Sequence, residues 1–289
     1  MHGFGHKSLS ASPAIALLLA AFSAPVLAAP ASGGCTAPST DCVEVGQLKL
    51  SVSLGAGSRS NPVLGESDIP LVIIPQISYY GKRFFLENLD LGFTLHEGES
   101  NTFNLIASPG YDRVFFYRDD LQNFFVSGAT GAVSAAAPLL GQEDFSQEFD
   151  VRPRRTTYLA GPEWLFQYGN FVGQVDALYE VTGRHDGYEV RAAVAAPIIQ
   201  SEHSLVISAG LTWKSAELVH YYYGVDGLYE PGSALSPFLK LGYTRALSDR
   251  WSVNAFIHYE RLGSSIADSP IVSDDGVTTA FAGVVFRIL

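Results

Sequence analysis

The sequence predicts an all-β protein: an antiparallel transmembrane β-barrel of about 12 strands, closed by its C-terminal strand. The chain ends in two segments of strict alternation, residues 251–262 and 278–289. Alternation indicates strands, because successive side chains of a strand point to opposite faces. The apolar face of the first segment carries Trp251 and Tyr259 near its two ends, as in the aromatic girdles of outer-membrane barrels. No apolar run reaches the roughly 20 residues that a spanning helix needs, so strands are expected to cross the membrane.

The first 28 residues look like a secretory signal peptide. Lys7 provides a weakly basic start, residues 14–22 an apolar core, and residues 26–28 a cleavage site with small side chains. Residues 29–47 are then a periplasmic N-terminal leader, and residues 48–289 the barrel. Lipoprotein processing at Cys35 is disfavoured, because residues 32–34 lack an aliphatic side chain.

Cys35 and Cys42 are the only cysteines, and both lie in the predicted leader. In an exported protein two cysteines at this spacing can form a local disulfide. Two free thiols are the alternative, and a metal site is disfavoured because no histidine or acidic cluster accompanies them. We therefore predict no metal and no cofactor.

The composition restricts the partners. With 18 basic and 29 acidic residues, the chain is not expected to bind nucleic acid, whose phosphates attract a basic surface. The 14 tyrosines, 18 phenylalanines and 28 glycines, with only 16% charged residues, suit a β-rich chain with aromatic belts.

The alternation begins at Leu48 and predicts ten further strands, which with the closing pair make an even count, as single-chain outer-membrane barrels require. The predicted strands are residues 48–54, 71–79, 89–95, 103–107, 158–166, 171–179, 190–196, 205–213, 216–223 and 238–247.

The polar faces of these strands are assigned to the lumen, because a Lys or Arg at the lipid midplane would cost about 2–4 kcal/mol. The charges could pair with one another inside a narrow barrel, or they could line a conduit or an active site. The narrow interior favours pairing. The residues assigned to the lumen are Lys49, Asp90, Gln174, Asp176, Glu180, Arg191, Lys240, His258 and Glu260.

Strand parity predicts the topology. If the C-terminus is periplasmic, residues 224–236 and 263–277 are external loops and residues 247–250 are a short periplasmic turn. Continued backward, parity places residues 110–155 on the periplasmic side, as a long non-barrel insertion or plug, unless two strands are hidden within them.

The segment 110–155 is too aromatic for a solvated linker, and connections of this length are usually functional or disordered. We predict that it plugs the barrel or contacts a partner. The aromatic candidates are Tyr111, Phe115, Phe116, Phe124 and Phe125.

His185 lies beside Asp186 and invites a catalytic or metal interpretation. However, Gly183 and Gly187 around it are what a turn needs, and no serine in a glycine-flanked elbow accompanies it. A structural turn is the favoured interpretation, and no catalytic residue is predicted.

Three stretches together resemble the MipA/OmpV family of outer-membrane proteins. They are residues 182–187, the Tyr-Tyr-Gly-Val of residues 222–225, and Arg261-Leu262 followed by the Asp-Ser-Pro-Ile-Val of residues 268–272. The similarity runs from about Leu48 to the C-terminus. The family's terminal Gly-x-x-aromatic-x-Phe is matched from Gly283, except that Ile288 replaces the final Phe.

The resemblance implies a Gram-negative outer-membrane protein. The family's founding member is a scaffold joining a murein-degrading transglycosylase to a murein synthase, and other members are associated with osmotic response, adhesion or antibiotic sensitivity. The family has no agreed catalytic residues. The implied partners are outer-membrane lipid and lipopolysaccharide, the barrel-assembly machinery, and a murein transglycosylase and synthase.

We therefore expect a non-enzymatic scaffold or structural protein of the cell envelope. A narrow passive pore for small solutes, with its selectivity set by lumenal charges, is the alternative. A barrel-embedded lipid hydrolase is a third class, but it needs a His beside a Ser or Glu at the membrane rim, which the scattered histidines do not suggest.

Overall fold

A computed structural model describes the protein over residues 45–116 and 154–289. Twelve strands form a closed antiparallel barrel in which β12 pairs with β1, as the alternation predicts. The strands are β1 Leu48–Arg59, β2 Ile69–Tyr80, β3 Phe84–Glu87, β4 Asp90–Glu97, β5 Asn101–Pro109, β6 Tyr158–Tyr168, β7 Phe171–Glu180, β8 Tyr188–Gln200, β9 His203–Lys214, β10 Ala234–Ala246, β11 Trp251–Arg261 and β12 Gly276–Arg287.

Three helical segments accompany the strands. They are a 3-10 helix Tyr111–Phe115 and the α-helices α1 Ala216–Tyr223 and α2 Ser264–Ala267. In the part of the chain that the structure describes, no helix combines the length and apolarity that crossing a membrane would require.

The two faces of the closing strands are as predicted. On β11, Trp251, Ile257 and Tyr259 are exposed on the outer face, whereas Phe256 is buried inside. On β12, Val284 is exposed, whereas Phe281 is buried against Phe256, their ring centroids 6.0 Å apart. Exposed apolar side chains in this pattern face lipid.

Aromatic side chains form exposed girdles at both ends of the barrel, as the composition predicts. Near the end where β1 begins and β12 finishes, the exposed rings are Phe84, Tyr168, Phe171 and Trp251. Near the opposite end they are Tyr179, Tyr188, Trp213 and Tyr259.

The connections differ in length at the two ends. Residues 81–83, 98–100, 169–170, 201–202 and 247–250 form short turns at the end where β1 begins and β12 finishes. Residues 60–68, 110–157, 181–187, 215–233 and 262–275 form the longer connections at the other end. Because outer-membrane barrels have short periplasmic turns and longer outer loops, the short-turn end is periplasmic.

The predicted strand over residues 216–223 is wrong, because these residues form α1. In addition, β3 was not predicted. It lies just before the predicted strand of residues 89–95 and forms a short hairpin with β4 around Asn88. The two errors cancel in the strand count, so the prediction of about 12 strands is confirmed.

The errors do not cancel in the topology. Counted back from the C-terminus, residues 216–223 form a helix and do not cross the barrel. The strands from β9 back to β4 therefore run in the opposite direction to the one predicted. β5 therefore ends, and β6 begins, at the outer end of the barrel. The prediction that residues 110–155 lie on the periplasmic side is wrong for this reason.

Several sequence predictions fall outside the described residues. They concern the signal peptide, most of the leader of residues 29–47, the pairing of Cys35 with Cys42, and Phe124 and Phe125. They stay predictions.

The topology predicts which loops can be labelled on cells. In a background lacking Cys35 and Cys42, a Ser233→Cys variant should react with an impermeant maleimide on whole cells, because Ser233 is exposed at the outer end. Ser201→Cys, exposed in a short turn, is the matched control and should react only after the outer membrane is permeabilised. The reverse pattern would contradict the orientation.

The faces predict a difference between neighbouring substitutions. Ala255→Arg places a charge towards lipid and should destabilise the folded barrel by about 2–4 kcal/mol near the midplane. Asn254→Arg points into the lumen and should cost less. The measurement is the heat-modifiable electrophoretic mobility of both variants after denaturant titration, and equal losses would show that the faces are exchanged.

Candidate functional site

The outer end of the barrel is closed by a compact cap built around α1. The Ser215 hydroxyl accepts a hydrogen bond from the Leu218 amide at 3.5 Å and so begins the helix. Tyr222 and Tyr223 at the end of the helix have no solvent exposure. They pack in one apolar cluster with residues of the barrel wall and α2, among them Ile106, Leu159, Leu178, Leu262 and Ile266.

The three stretches that resemble the MipA/OmpV family meet in this cap. The His185 ring lies 5.2 Å from the Tyr221 ring and 6.1 Å from the Tyr222 ring, centroid to centroid. The Ser269 hydroxyl donates a hydrogen bond of 2.6 Å to the Tyr223 carbonyl. Residues far apart in the chain therefore form one structural unit.

His185 is held in an ordered turn by its neighbours. Its Nδ1 accepts a hydrogen bond of 3.0 Å from the Gly187 amide, which closes the turn. Burial lowers the pKa of the His185 imidazole, so the ring is neutral when it packs against the tyrosines. The alternation assigns Glu180 to the lumen. Its carboxylate accepts hydrogen bonds from the backbone amides of Thr182 and Arg184, at 2.6 and 2.8 Å. These contacts are those of an ordered turn.

Beneath the cap, the 3-10 helix Tyr111–Phe115 enters the lumen and is held there by a buried ion pair. The Lys214 ammonium donates to both carboxylate oxygens of Asp112, at 2.6 and 2.7 Å. The Tyr223 hydroxyl donates to Asp112 Oδ1 at 2.7 Å. Burial, and then the Asp112 charge, raise the pKa of the Tyr223 hydroxyl well above its usual value, so it remains a donor. We call Asp112, Lys214 and Tyr223 the latch.

Further contacts tie the 3-10 helix to the wall. The Asn61 side-chain amide donates to the Phe115 carbonyl at 2.9 Å, and the Tyr111 hydroxyl donates to Asp90 at 3.3 Å. The described ends of the segment 110–155 also contact each other, because Arg113 Nε donates to the Arg154 carbonyl at 3.1 Å. The helix is therefore fixed at both its flanks and its centre.

A cavity of about 150 Å³ remains in the lumen below the 3-10 helix. Its charged lining consists of four cations and three carboxylates, with one imidazole beside them: Arg59, Arg191, Lys214, Lys240, Asp112, Glu189, Glu260 and His258. The aromatic lining consists of Tyr111, Phe115, Phe238 and Phe256.

The lumenal charges pair along and across strands, as the narrow interior predicts. Arg191 contacts Glu189 directly and lies 3.5 Å from Asp176. Glu163 accepts hydrogen bonds from the Asn104 and Gln174 amides at 2.7 and 2.9 Å. Pairing of this kind lowers the cost of burying charged and polar groups.

Three of the five predicted plug residues lie in the described structure. Tyr111 and Phe115 line the cavity. Phe116 lies in the cap, where the Arg154 guanidinium sits 4.0 Å from its ring centroid. The latch was not predicted: Lys214 directly follows the predicted strand of residues 205–213, and Asp112 lies outside any predicted strand.

The latch makes a testable prediction about stability. Asp112→Ala leaves the buried Lys214 ammonium without its carboxylate, and breaking a buried pair costs about 3–5 kcal/mol. The unfolding free energy of the purified barrel should fall accordingly, whereas Asp275→Asn, at an exposed loop carboxylate, should leave it unchanged. A combined Asp112→Leu and Lys214→Met variant should recover part of the loss, and equal stability of all variants would contradict the latch.

Comparison with known proteins gives a family and a location. The sequence profile of the family described as MltA-interacting protein MipA matches residues 52–288. The outer membrane protein YiaT of Escherichia coli (strain K12) is 24% identical over 248 residues, which cover 83% of this chain and 91% of that protein. Outer membrane protein OmpV of Vibrio cholerae is 29% identical over 102 residues, covering 32% of this chain and 40% of that protein.

The similarity to solved structures is low. An outer membrane channel from Pseudomonas putida F1 has a TM-score of 0.41 at 12% identity and covers 87% of this chain and 100% of its own. A porin refined at 1.8 Å has a TM-score of 0.35 at 7% identity, covering 84% and 100% of the two chains. The family profile spans most of the barrel, and the relatives are outer-membrane proteins. The chain belongs to the MipA family and is an outer-membrane β-barrel protein.

Proposed function

We propose that this protein is a non-enzymatic scaffold of the cell envelope whose work is done by its surfaces, and that its periplasmic end binds a murein-degrading enzyme. The observation that carries the proposal is the occupied lumen. The 3-10 helix Tyr111–Phe115 enters the outer part of the lumen and is held there by the latch. A barrel whose outer mouth is narrowed by its own chain is suited to presenting its surfaces.

The family description supports the choice of partner. The family is described by its interaction with MltA, and the resemblance in sequence implies a murein transglycosylase and synthase as partners. Murein lies on the periplasmic side of the outer membrane, so the docking surface belongs at the short turns and the leader of residues 29–47. The segment 110–155 begins and ends at the outer side and is therefore not the docking surface we propose.

The position of the docking surface can be tested by site-specific crosslinking in cells. A photoreactive phenylalanine analogue at Glu202, exposed in a periplasmic turn, should capture a murein transglycosylase. The same analogue at Leu228, which is 65% exposed in an outer loop, is the matched control and should not. Adducts identified by mass spectrometry at Leu228 but not at Glu202, or at neither position, would overturn the scaffold proposal.

A narrow pore is the second candidate, and the charged cavity favours it, because charged rings set selectivity in channels. Conductance in planar bilayers separates the two functions. For a scaffold the purified parent protein should give no regular conductance steps, whereas Asp112→Ala, which frees the 3-10 helix, should give them more often. Steady ion-selective steps from the parent protein would favour the pore.

A further inference from the structure

The barrel wall is low between β2 and β5. The hairpin of β3 and β4 rises from the periplasmic turns and reaches only as far as Asn88. Its strand β3 pairs with residues 78–80 of β2, and among the described residues no strand pairs with the same side of residues 69–76. β5 also extends beyond the hairpin, because its pairing with β4 ends at Ala107. We call the gap above the hairpin, between residues 69–76 and residues 108–109, the notch.

The backbone of β2 along the notch is that of an edge strand. Opposing residues of an antiparallel pair either both bond across the pair or both turn away from it. The even-numbered residues of β1 bond to β12, as Leu50 and Ser60 do, and therefore turn away from β2. Pro70 and Pro75 lie opposite even-numbered residues of β1. Their ring nitrogens, which carry no hydrogen, therefore face the notch.

The edge of β5 has the same feature. Ser100 and Gly110 bond to β6, so the even-numbered residues of β5 turn towards β6 and Pro109 turns towards the notch. Proline within sheets is confined to edges, strand starts and bulges. The prolines on both edges remove donors that an added strand would need. This argues against a protein partner that binds the notch by strand addition.

The rim of the notch is apolar and faces the membrane. Val72 and Ile73 are neighbours in the chain, yet both are exposed, at 43% and 40%. Leu91, near the top of the hairpin, is 42% exposed. Exposed apolar side chains on the outside of a membrane barrel contact lipid. The hairpin covers the periplasmic side of the wall, so the notch opens towards the outer leaflet.

The 3-10 helix forms the back of the notch. It begins directly after β5, and its Tyr111 hydroxyl donates to Asp90 at the top of the hairpin. At its other end, the Phe115 carbonyl accepts from Asn61, which lies just beyond β1. The helix therefore crosses behind the gap from the β5 side to the β1 side. The notch is a recess that is open to lipid and closed towards the lumen.

We propose that the notch binds an acyl chain of lipopolysaccharide, the lipid of the outer leaflet. The hairpin holds β2 and β5 about 14 Å apart, at three strand spacings of about 4.8 Å, which leaves room for hydrocarbon between them. The carbonyls of Pro70 and Pro75 also face the notch, where lipid offers them no water. Amide and hydroxyl groups beside the acyl chains of the lipid A anchor can donate hydrogen bonds to these carbonyls. This site goes beyond the proposed scaffold role and does not depend on it.

Photocrosslinking tests the site in cells. p-Benzoylphenylalanine at Tyr111, behind the notch, should form an adduct with lipopolysaccharide on irradiation. The same analogue at Leu239, which faces lipid, is the positive control, and at Phe238, its neighbour in the lumen, the negative control. Adducts are identified by mass spectrometry in protein whose folding is checked by heat-modifiable mobility. A peptide adduct or no adduct at Tyr111, or equal lipid adducts at Tyr111 and Phe238, would overturn the site.

Filling the notch is a second test that leaves Tyr111 in place. Leu89→Trp puts an indole at the floor of the notch, and Leu91→Trp, on the lipid face of the hairpin, is the matched control. Full-length barrels are folded into vesicles of phosphatidylethanolamine and lipid A, extracted, and analysed by native mass spectrometry. The parent and Leu91→Trp should retain lipid A, and folded Leu89→Trp should lose it. Retention of phosphatidylethanolamine in its place, no retained lipid in the parent, or equal retention by the two variants would contradict the proposal.

Discussion

Closure of the sheet between β1 and β12 is the constraint on which the rest of the structure depends. A bilayer offers no water to unpaired backbone groups, and each one left open in lipid costs several kcal/mol. The pairing from Ser51 and Arg287 through to Arg59 and Thr279 removes both outer edges at once. Once the ring is closed at 12 strands, every second side chain must enter one narrow lumen.

The crowded lumen explains why its charges are organised. A buried charge is costly unless it is paired, so charges that closure brings together must find partners across strands. Asp176 and Arg191 do this between β7 and β8, and Glu189 contacts Arg191 along β8. Lys214 pairs with Asp112 on the 3-10 helix, and Glu189 lies opposite it on β8. The latch therefore neutralises a wall charge and fixes the helix with the same contact.

Much of the fold could be predicted because alternation is a strong signal where one face meets lipid. A register slip of one residue would exchange the faces of β11, so its pattern is tightly specified. The error at residues 216–223 arose because Tyr221, Tyr222 and Tyr223 favour strands by propensity. The opposing signal was present: Ser215 is a good helix N-cap, and Glu217 lies in the first turn. β3 was missed because four residues are too few to show a period.

The candidate site was less predictable than the wall around it. Alternation places Lys214 and Lys240 in the lumen, but it does not say which lumenal residues share a level. That depends on the strand registers, which short turns and bulges set locally. Asp112 and Lys214 are 102 positions apart, and Asp112 lies outside any strand pattern. Arg59, Thr279, His258 and Lys240 likewise face one another only because the registers of four neighbouring strands align them.

In the cap, the three stretches that indicate the family have a structural role. His185 invites a catalytic interpretation in the sequence, yet it contacts the Gly187 amide and the Tyr222 ring, and Ser269 bonds to the Tyr223 carbonyl. Their shared task is to close the outer mouth over the 3-10 helix. Because the cap closes the outer mouth, we expect functional contacts at the outer loops, at the periplasmic turns and in the cavity beneath the cap. Among the described residues, the cavity combines buried charge with enclosed space in the lumen.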